Sequence, residues 1–215
     1  MIGVVRFPGS CDEVDALKAA SLVDDARILW HQETDLNGVD AVIVPGGFSY
    51  GDYLRVGAIA RFSPIMGAVI ELARGGGPVL GICNGFQVLC EAGLLPGALL
   101  PNQSLRFVCR QVEVEVVDAG TPFTRACEEG ERLSIPVKHT SGCWFAPAEQ
   151  RDRVRVVLRY APGHNPNGSV RDVAGVCNET GNVFGLMPHP EHAVDALEGS
   201  TDGRKLFSSL ASVSV

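Results

Sequence analysis

The sequence has few of the features that mark membrane-spanning or nucleic-acid-binding proteins. Its 215 residues carry 18 Lys and Arg against 25 Asp and Glu, a formal net charge of −7. No basic run is present, so binding of nucleic acid through its phosphates is not expected. The longest uncharged stretch is residues 75–90, and it contains Pro78, Asn84 and five glycines. Such a stretch does not span a bilayer, and no membrane association is expected.

Cofactor and metal motifs are also missing. The seven cysteines are irregularly spaced without a CxxC pair, which argues against a disulfide scaffold and against structural zinc. No GxGxxG sequence follows a strand, and no His, Cys and carboxylate residues have metal-ligand spacing. We therefore expect no cofactor and no metal in this chain. The N-terminus lacks a charged leader with a long apolar segment, and this favours the cytoplasm.

The pattern of apolar residues predicts one domain over residues 1–215, of the α/β class. Short apolar strands alternate with helices in the first half, which is typical of parallel βαβ units. The second half is dominated by strands. The prediction is a mainly parallel sheet with helices on both faces and an antiparallel extension. Predicted strands are 1–7, 26–30, 41–44, 79–82, 107–117, 133–137, 154–160, 170–177 and 182–187, and predicted helices are 12–22, 56–73 (broken or kinked at Pro64), 84–92 and 202–210.

A strand that runs directly into Cys83 has the form of a nucleophile elbow. Gly81 and Gly85 flank the cysteine at minus two and plus two, and a helix follows. A nucleophile on a tight strand-to-helix turn needs close neighbours without side chains. The helix N-terminus favours the thiolate, and its N–H groups can hold an oxyanion. A buried structural cysteine on a glycine-rich turn is the alternative for this motif alone.

A candidate general base for Cys83 lies near the other end of the chain. His189 lies between Pro188 and Pro190 after a predicted strand, so its backbone is held stiffly. Glu191 is placed to orient the imidazole and to stabilise its cation. Taken alone, His189 is equally compatible with a surface loop. Together with the elbow, it favours a nucleophilic cysteine site. The other histidines considered, His31 and His164, are expected in surface turns or loops.

These motifs give the chain a recognisable family resemblance that covers nearly its whole length. It resembles the class I, triad-type glutamine amidotransferases, whose domain is flavodoxin-like. Within them it is similar to the glutaminase subunits of phosphoribosylformylglycinamidine synthase, an enzyme of purine biosynthesis. The segments that carry the resemblance are residues 44–47 (VPGG), 48–55 (FSYGDYLR), 57–62 (GAIARF), 83–87 (CNGFQ), 94–97 (LLPG), 167–169 (NGS), 174–176 (AGV) and 188–191 (PHPE).

The resemblance implies a catalytic triad of Cys83, His189 and Glu191. Cys83 would attack the side-chain amide of glutamine and form a γ-glutamyl thioester, and water would then release glutamate. His189 would act first as base and then as acid to the leaving ammonia, while Glu191 orients it. None of these three residues is expected to bind ATP or magnesium.

Oxyanion and substrate contacts are implied in the same way. The N–H groups of Gly47 and Asn84 would form the oxyanion hole. Gln87, one helical turn after Cys83, and His139 would contact the substrate. For Gln87 the alternative is a polar residue on the helix face.

Three departures from the family pattern touch these expectations. One Asn is missing where Ser10 runs straight into Cys11. The loop of residues 139–145 has the sequence HTSGCWF in place of HGEGNF, which puts its glutamine contacts in doubt. An Arg often follows the catalytic Glu, and His192 occupies that position here.

The resemblance also implies partners. Ammonia would pass to a separate large synthetase subunit that uses ATP and magnesium, and a small accessory subunit is expected in the same enzyme. The segment Phe48–Arg55 is our candidate docking surface, unless Tyr50, Tyr53 and Arg55 pack within the domain. Two alternatives for function stay open: an amidotransferase serving another acceptor, and a catalytically silent regulatory module on this fold.

Overall fold

Eleven strands and five α-helices are formed within residues 1–211, which are the residues that the structure, a computed structural model, describes. The strands are β1 (Ile2–Arg6), β2 (Ala26–Trp30), β3 (Ala41–Val44), β4 (Val79–Ile82), β5 (Ala98–Leu100), β6 (Val108–Val116), β7 (Arg132–His139), β8 (Cys143–Phe145), β9 (Arg155–Tyr160), β10 (Val173–Cys177) and β11 (Val183–Leu186). The helices are α1 (Glu13–Ser21), α2 (Pro64–Arg74), α3 (Asn84–Glu91), α4 (Ala148–Arg151) and α5 (Arg204–Ala211).

Nine of these strands form one sheet in the order β2-β1-β3-β4-β11-β10-β9-β6-β7. From β2 to β11 all pairings are parallel, and from β11 to β7 all are antiparallel. The predicted parallel sheet with an antiparallel extension is therefore confirmed. The parallel half has the 2-1-3-4 order of flavodoxin-like folds, with β11 as its fifth strand.

The connections place helices on both faces of the parallel half. The chain moves outward from β1 through α1 to β2, but in the opposite direction from β3 through α2 to β4. Because such crossovers are right-handed, α1 lies on one face while α2 lies on the other. Every residue of β3, β4 and β11 is buried, as expected for strands covered on both sides. In β6 the buried residues Val112, Val114 and Val116 alternate with more exposed ones.

Three predicted elements are wrong in extent, among them the strand predicted over 133–137, which runs over Arg132–His139. The helix predicted over residues 56–73 begins only at Pro64, because proline is favoured in the first turn of a helix but removes a donor inside one. Residues 56–63 form turns, including a 3-10 turn at Ala60–Phe62. The strand predicted over 170–177 begins at Val173, after a 3-10 turn. The two-stranded sheet of β5 and β8, each three residues long, was not predicted.

No helix within residues 1–211 is long and apolar enough to cross a membrane.

The fold brings the carboxyl ends of β1, β3, β4 and β11 to one edge of the sheet, since parallel strands all point the same way. Ligands of open α/β sheets bind at this edge.

Candidate active site

Loops that follow the parallel strands meet at this edge. Ser10, after β1, forms an antiparallel bridge with Gly47, after β3. The N–H of Cys83, after β4, donates to the carbonyl of Leu186 at the end of β11 at 2.8 Å. A Cβ added to Gly46 would lie 2.8 Å from Cε1 of His189. The turns that carry Cys83, Gly47 and His189 are thus in contact.

The predicted elbow is present at Cys83. Its backbone has φ 50° and ψ −103°, a conformation that costs a non-glycine residue of order 1–3 kcal/mol and is concentrated at functional sites. A Cβ on Gly85 would lie 1.8 Å from the carbonyl oxygen of Val44, and one on Gly81 would lie 2.6 Å from Cδ1 of Leu89. Both glycines therefore allow the close approach that holds the turn. Cys83 is 6% exposed.

His189 and Glu191 form a buried pair beside this cysteine. Nδ1 of His189 lies 2.6 Å from Oε1 of Glu191, and the backbone N–H of His189 donates to the carbonyl of Pro136 at 2.8 Å. Burial works against a charged imidazole, but the charge of Glu191 and the interaction with the neighbouring Cys83 outweigh it, so the pKa of His189 is raised. The thiol adjoins the imidazole without reaching ordinary hydrogen-bond geometry, and Nε2 has no other partner within residues 1–211. Catalytic contacts are often this loose before substrate binds.

A second carboxylate, that of Asp12, lies near the imidazole of His189. Oδ2 of Asp12 is 3.7 Å from Nδ1 of His189. Its other oxygen accepts from Nζ of Lys138 at 2.5 Å and lies 3.3 Å from Nε2 of His192. Burial opposes ionisation of Asp12, yet its hydrogen bonds with His192 and Lys138 and the charge of His189 hold its pKa well below the usual value.

These groups also have the donor spacing of a metal site. Oxygen and nitrogen atoms of Asp12, His189, Glu191 and His192 lie within 4.8 Å of one another. However, the Lys138 ammonium lies in hydrogen-bond contact with Asp12 and 2.9 Å from Nε2 of His192. It supplies the positive charge that the carboxylates require, and the donor set does not fit an added cation.

The predicted oxyanion donors lie beside the cysteine. Gly47 has φ 144°, and a Cβ there would lie 2.6 Å from the carbonyl oxygen of Gly9. Among residues 1–211 its N–H makes no backbone hydrogen bond, which leaves it free for a ligand. Asn84 is the first residue of α3, and its side-chain oxygen accepts from both the N–H and the hydroxyl of Ser49.

Gln87 and His139 line the same cavity, but their polar groups are already engaged. Oε1 of Gln87 accepts from Nδ2 of Asn84 at 2.9 Å, and its Nε2 donates to the carbonyl of Ser141. The ring of His139 lies 3.0 Å from Oδ1 of Asn102 and 3.5 Å from Nδ2 of Asn167. Burial and the nearby charge of His189 lower the pKa of His139 to about 4, so its ring is neutral at pH 7.

Asn102 and Asn167 hold the altered loop of residues 139–145 from beneath. Asn102 donates to the carbonyl of His139 at 2.9 Å and accepts from the N–H of Gly142 at 3.0 Å. Oδ1 of Asn167 accepts from the backbone N–H of Ser169 at 2.9 Å, and the Ser169 hydroxyl lies 3.2 Å from the carbonyl oxygen of Gly142. Both asparagines are almost fully buried. The loop wall therefore keeps a defined shape despite its unusual sequence.

The cavity at Cys83 is small. Its volume is about 40 Å³, and its lining includes Gly47, Phe48, Cys83, Gln87 and His139. Pockets that enclose a small molecule usually have volumes of roughly 300 Å³ or more. The walls around Cys83 must move apart before an amino acid can enter.

Several residues of the site were missed by sequence reasoning. Lys138 and Asn102 carry no motif signal of their own. Asp52, which also lines the cavity, lies in the FSYGDYLR segment but was given no role in the site. Asp12 had one, since it follows Cys11 in a segment that the family resemblance had already marked. His31 was predicted near the surface, but it is 8% exposed and its Nδ1 lies 2.9 Å from the hydroxyl of Tyr50.

Comparison with known proteins agrees with this geometry. The family model of the CobB/CobQ-like glutamine amidotransferase domain matches residues 2–208. Subunit PurQ of phosphoribosylformylglycinamidine synthase from Rubrobacter xylanophilus is 58% identical over 214 residues, 97% of this chain and 96% of that one. The same subunit from Salinibacter ruber is 56% identical over 221 residues, covering 97% and 94%.

The chain belongs to the PurQ family of glutaminase subunits. The family resemblance in the sequence is thereby confirmed, and the alternative of an amidotransferase for another acceptor is set aside. A solved structure of PurLQS from Thermotoga maritima has a TM-score of 0.92 at 44% identity, covering 99% of this chain and 97% of that one. A putative GMP synthase subunit from Thermoplasma acidophilum, 16% identical with a TM-score of 0.67, shares the fold.

We expect Asn102→Ala to loosen the wall of the glutamine pocket. The change leaves the His139 carbonyl and the Gly142 N–H without their partner, and each unpaired buried group costs about 1–3 kcal/mol. The variant should unfold at lower urea concentration, and its KM for glutamine should rise more than its kcat falls. Gln103→Ala, an exposed neighbour, is the control. A destabilised variant with unchanged KM would show that this loop does not shape the substrate site.

Proposed function

We propose that this chain hydrolyses L-glutamine to glutamate and ammonia with Cys83 as nucleophile. The observation that carries the proposal is the strained elbow at Cys83 beside the buried His189–Glu191 pair. Covalent catalysis needs a nucleophile beside a base that a third group orients, and here Cys83 on its strained turn adjoins His189, which is held by Glu191.

The first half of the reaction forms the thioester. His189 takes the thiol proton on Nε2, because Nδ1 is held by Glu191, and the sulfur attacks the side-chain amide carbon. The oxyanion that forms accepts from the N–H groups of Gly47 and Asn84. His189 then gives its proton to the amide nitrogen, the carbon–nitrogen bond breaks and ammonia leaves.

The second half of the reaction is hydrolysis. A water molecule loses a proton to His189 and attacks the thioester carbonyl. The carbon–sulfur bond then breaks, glutamate leaves and Cys83 recovers its proton. Glu191 keeps the imidazole in one orientation throughout and stabilises its cation.

Substrate contacts need revision from the sequence prediction. Gln87 and His139 line the cavity, but their side chains bond to Asn84, Ser141, Asn102 and Asn167. Their proposed role is therefore to shape the pocket. Asp52 offers a half-buried carboxylate in the same lining, which suits the ammonium group of an amino acid.

Ammonia is proposed to pass to a large synthetase subunit, which uses ATP and magnesium to convert formylglycinamide ribonucleotide to formylglycinamidine ribonucleotide in the cytoplasm. The assembly of the Thermotoga maritima relative is named PurLQS, which supports a large subunit and a small accessory subunit as partners. This chain itself is proposed to use no cofactor and no metal.

The segment Phe48–Arg55 is the proposed docking surface. Leu54 is 93% and Tyr53 74% exposed, and Phe48 lines the active-site cavity. Tyr50 and Arg55, in contrast, are engaged inside the chain: the Tyr50 hydroxyl lies 2.7 Å from Oγ of Ser63, and Arg55 forms a double hydrogen bond with Glu91. The exposed apolar residues, and not Arg55, are the better probes of docking.

This segment also adjoins the oxyanion turn and is conformationally strained. Positive φ angles occur at Tyr50, Asp52 and Leu54, three non-glycine residues for which such angles are uncommon. The N–H of Phe48 donates to the carbonyl of Gly9 at 2.8 Å. Docking of the synthetase onto this segment is proposed to widen the 40 Å³ cavity and to complete the oxyanion hole.

We expect Cys83→Ala to abolish glutamine-dependent synthesis by the reconstituted enzyme. Synthesis from ammonium salts should persist, because the acceptor chemistry belongs to the partner. Both nitrogen sources are assayed with the same complex, and Cys109→Ala, which removes an exposed thiol outside the site, is the control. Equal loss with glutamine and with ammonium would contradict the division of labour.

The proposed docking of the synthetase on residues 48–55 predicts an effect on the activation of glutamine hydrolysis. Leu54→Ser should reduce activation of glutamine hydrolysis by the synthetase, while leaving the slow hydrolysis by the isolated chain unchanged. Leu197→Ser is the matched control, since Leu197 is 95% exposed but lies outside the segment. Glutamate release is measured with increasing synthetase. Loss of one oxyanion donor typically costs ~10²–10³ in kcat, so activation of about that size is expected. Full activity of the isolated chain would refute partner activation.

A further inference from the structure

We propose that Asp12 is a second positioning carboxylate for His189, and that its ion pair with Lys138 holds the base against the nucleophile. The inference rests on the proposed glutaminase function, because it assigns His189 the role of base. Asp12 begins the chain segment that leads into α1, far in sequence from His189.

The two carboxylates act on one nitrogen. Oε1 of Glu191 lies 2.6 Å from Nδ1 of His189, and Oδ2 of Asp12 lies 3.7 Å from the same atom. Glu191 holds the single Nδ1 proton at hydrogen-bond distance. Asp12 adds a second negative charge near Nδ1, and this charge stabilises the imidazolium that forms when Cys83 loses its proton.

The charges around His189 favour this assignment. Its own turn contributes Glu191 and His192, and the segment before α1 contributes Asp12. Beyond these, the end of β7 contributes the Lys138 ammonium and the neutral ring of His139, and the elbow contributes Cys83. Lys138 keeps Asp12 ionised in a site where an unpaired carboxylate would be costly.

The Asp12–Lys138 pair also contacts the oxyanion turn and the cysteine elbow. The N–H of Asp12 donates to the carbonyl of Gly46 at 3.3 Å, next to the oxyanion donor Gly47. The carbonyl of Lys138 lies 4.0 Å from Sγ of Cys83. A Cβ on Gly46 would lie 2.4 Å from Oδ2 of Asp12 and 2.8 Å from Cε1 of His189, so glycine at this position gives the carboxylate and the imidazole room beside each other.

Helix capping does not explain the conformation of Asp12. It is the N-cap residue of α1, but its side chain makes no capping hydrogen bond. Its carboxylate is 5% exposed and turns instead toward Lys138 and His189. An N-cap aspartate ordinarily bonds to the N–H groups of the first turn. The side chain is therefore committed to the active site.

The test is a titration of His189 by nitrogen-15 NMR of the imidazole, in a Cys83→Ser background that removes the coupled thiol. Asp12→Asn should lower the pKa of His189 by about 1 unit or more, the size expected for loss of an opposite charge within 4–6 Å. Asp15→Asn, which changes a partly exposed carboxylate of α1 that pairs with Lys18, is the control and should leave it unchanged. An unchanged pKa in Asp12→Asn would overturn the proposal.

The titration does not need turnover, so failure here would leave the glutaminase assignment intact. With Cys83 present and the synthetase bound, Asp12→Asn should lower kcat about tenfold or more with KM nearly unchanged. A raised KM with unchanged kcat would contradict a positioning role.

Discussion

The turn between β4 and α3 holds Cys83 at φ 50° and ψ −103°, and the rest of the site is arranged around that turn. Such strain persists only where the surroundings over-determine it. Here Gly85 packs against the Val44 carbonyl on one side, and the Cys83 N–H donates to Leu186 on the other. The neighbouring strands β3 and β11 therefore both fix the cysteine and present the oxyanion turn and the base. The contacts that fix the position of Cys83 therefore also bring the groups that make it reactive beside it.

The electrostatics of the site follow from burying several charges together. His189 and the two carboxylates beside it are nearly inaccessible to water. Two carboxylates next to one imidazole would be unfavourable without compensation, and Lys138 supplies it at the mouth of the site, where its side chain is one-third exposed. The buried charges are therefore paired, and the raised pKa of His189 follows from its neighbours in spite of burial. His192, at the position where the family often has arginine, joins the same network through Asp12.

The sequence predicted those parts that depend on local patterns. Strands β2, β3 and β4 have the predicted bounds. In β3 and β4 the apolar runs are covered on both faces and are bounded by proline or by the elbow, whereas β2 is a partly exposed edge strand. The Cys83 elbow and the His189–Glu191 pair were found because each is a short motif. The Asp12–Lys138 pair joins residues 126 positions apart, and no local pattern signals it. The ring of His139 was expected to bind substrate, but buried partners from two distant segments, Asn102 and Asn167, compete for it.

The central claim is that Cys83 alone among the seven cysteines is the glutamine-reactive nucleophile. It is tested most directly by treating the complex with a diazo-ketone analogue of glutamine and mapping the adduct by peptide mass spectrometry. The account predicts one adduct per chain, on Cys83, prevented by excess glutamine and absent in His189→Ala. The exposed thiols Cys11 and Cys109 serve as internal controls for non-specific alkylation. A chain that stays unlabelled with its synthetase bound, or that is labelled on another cysteine, would contradict the account.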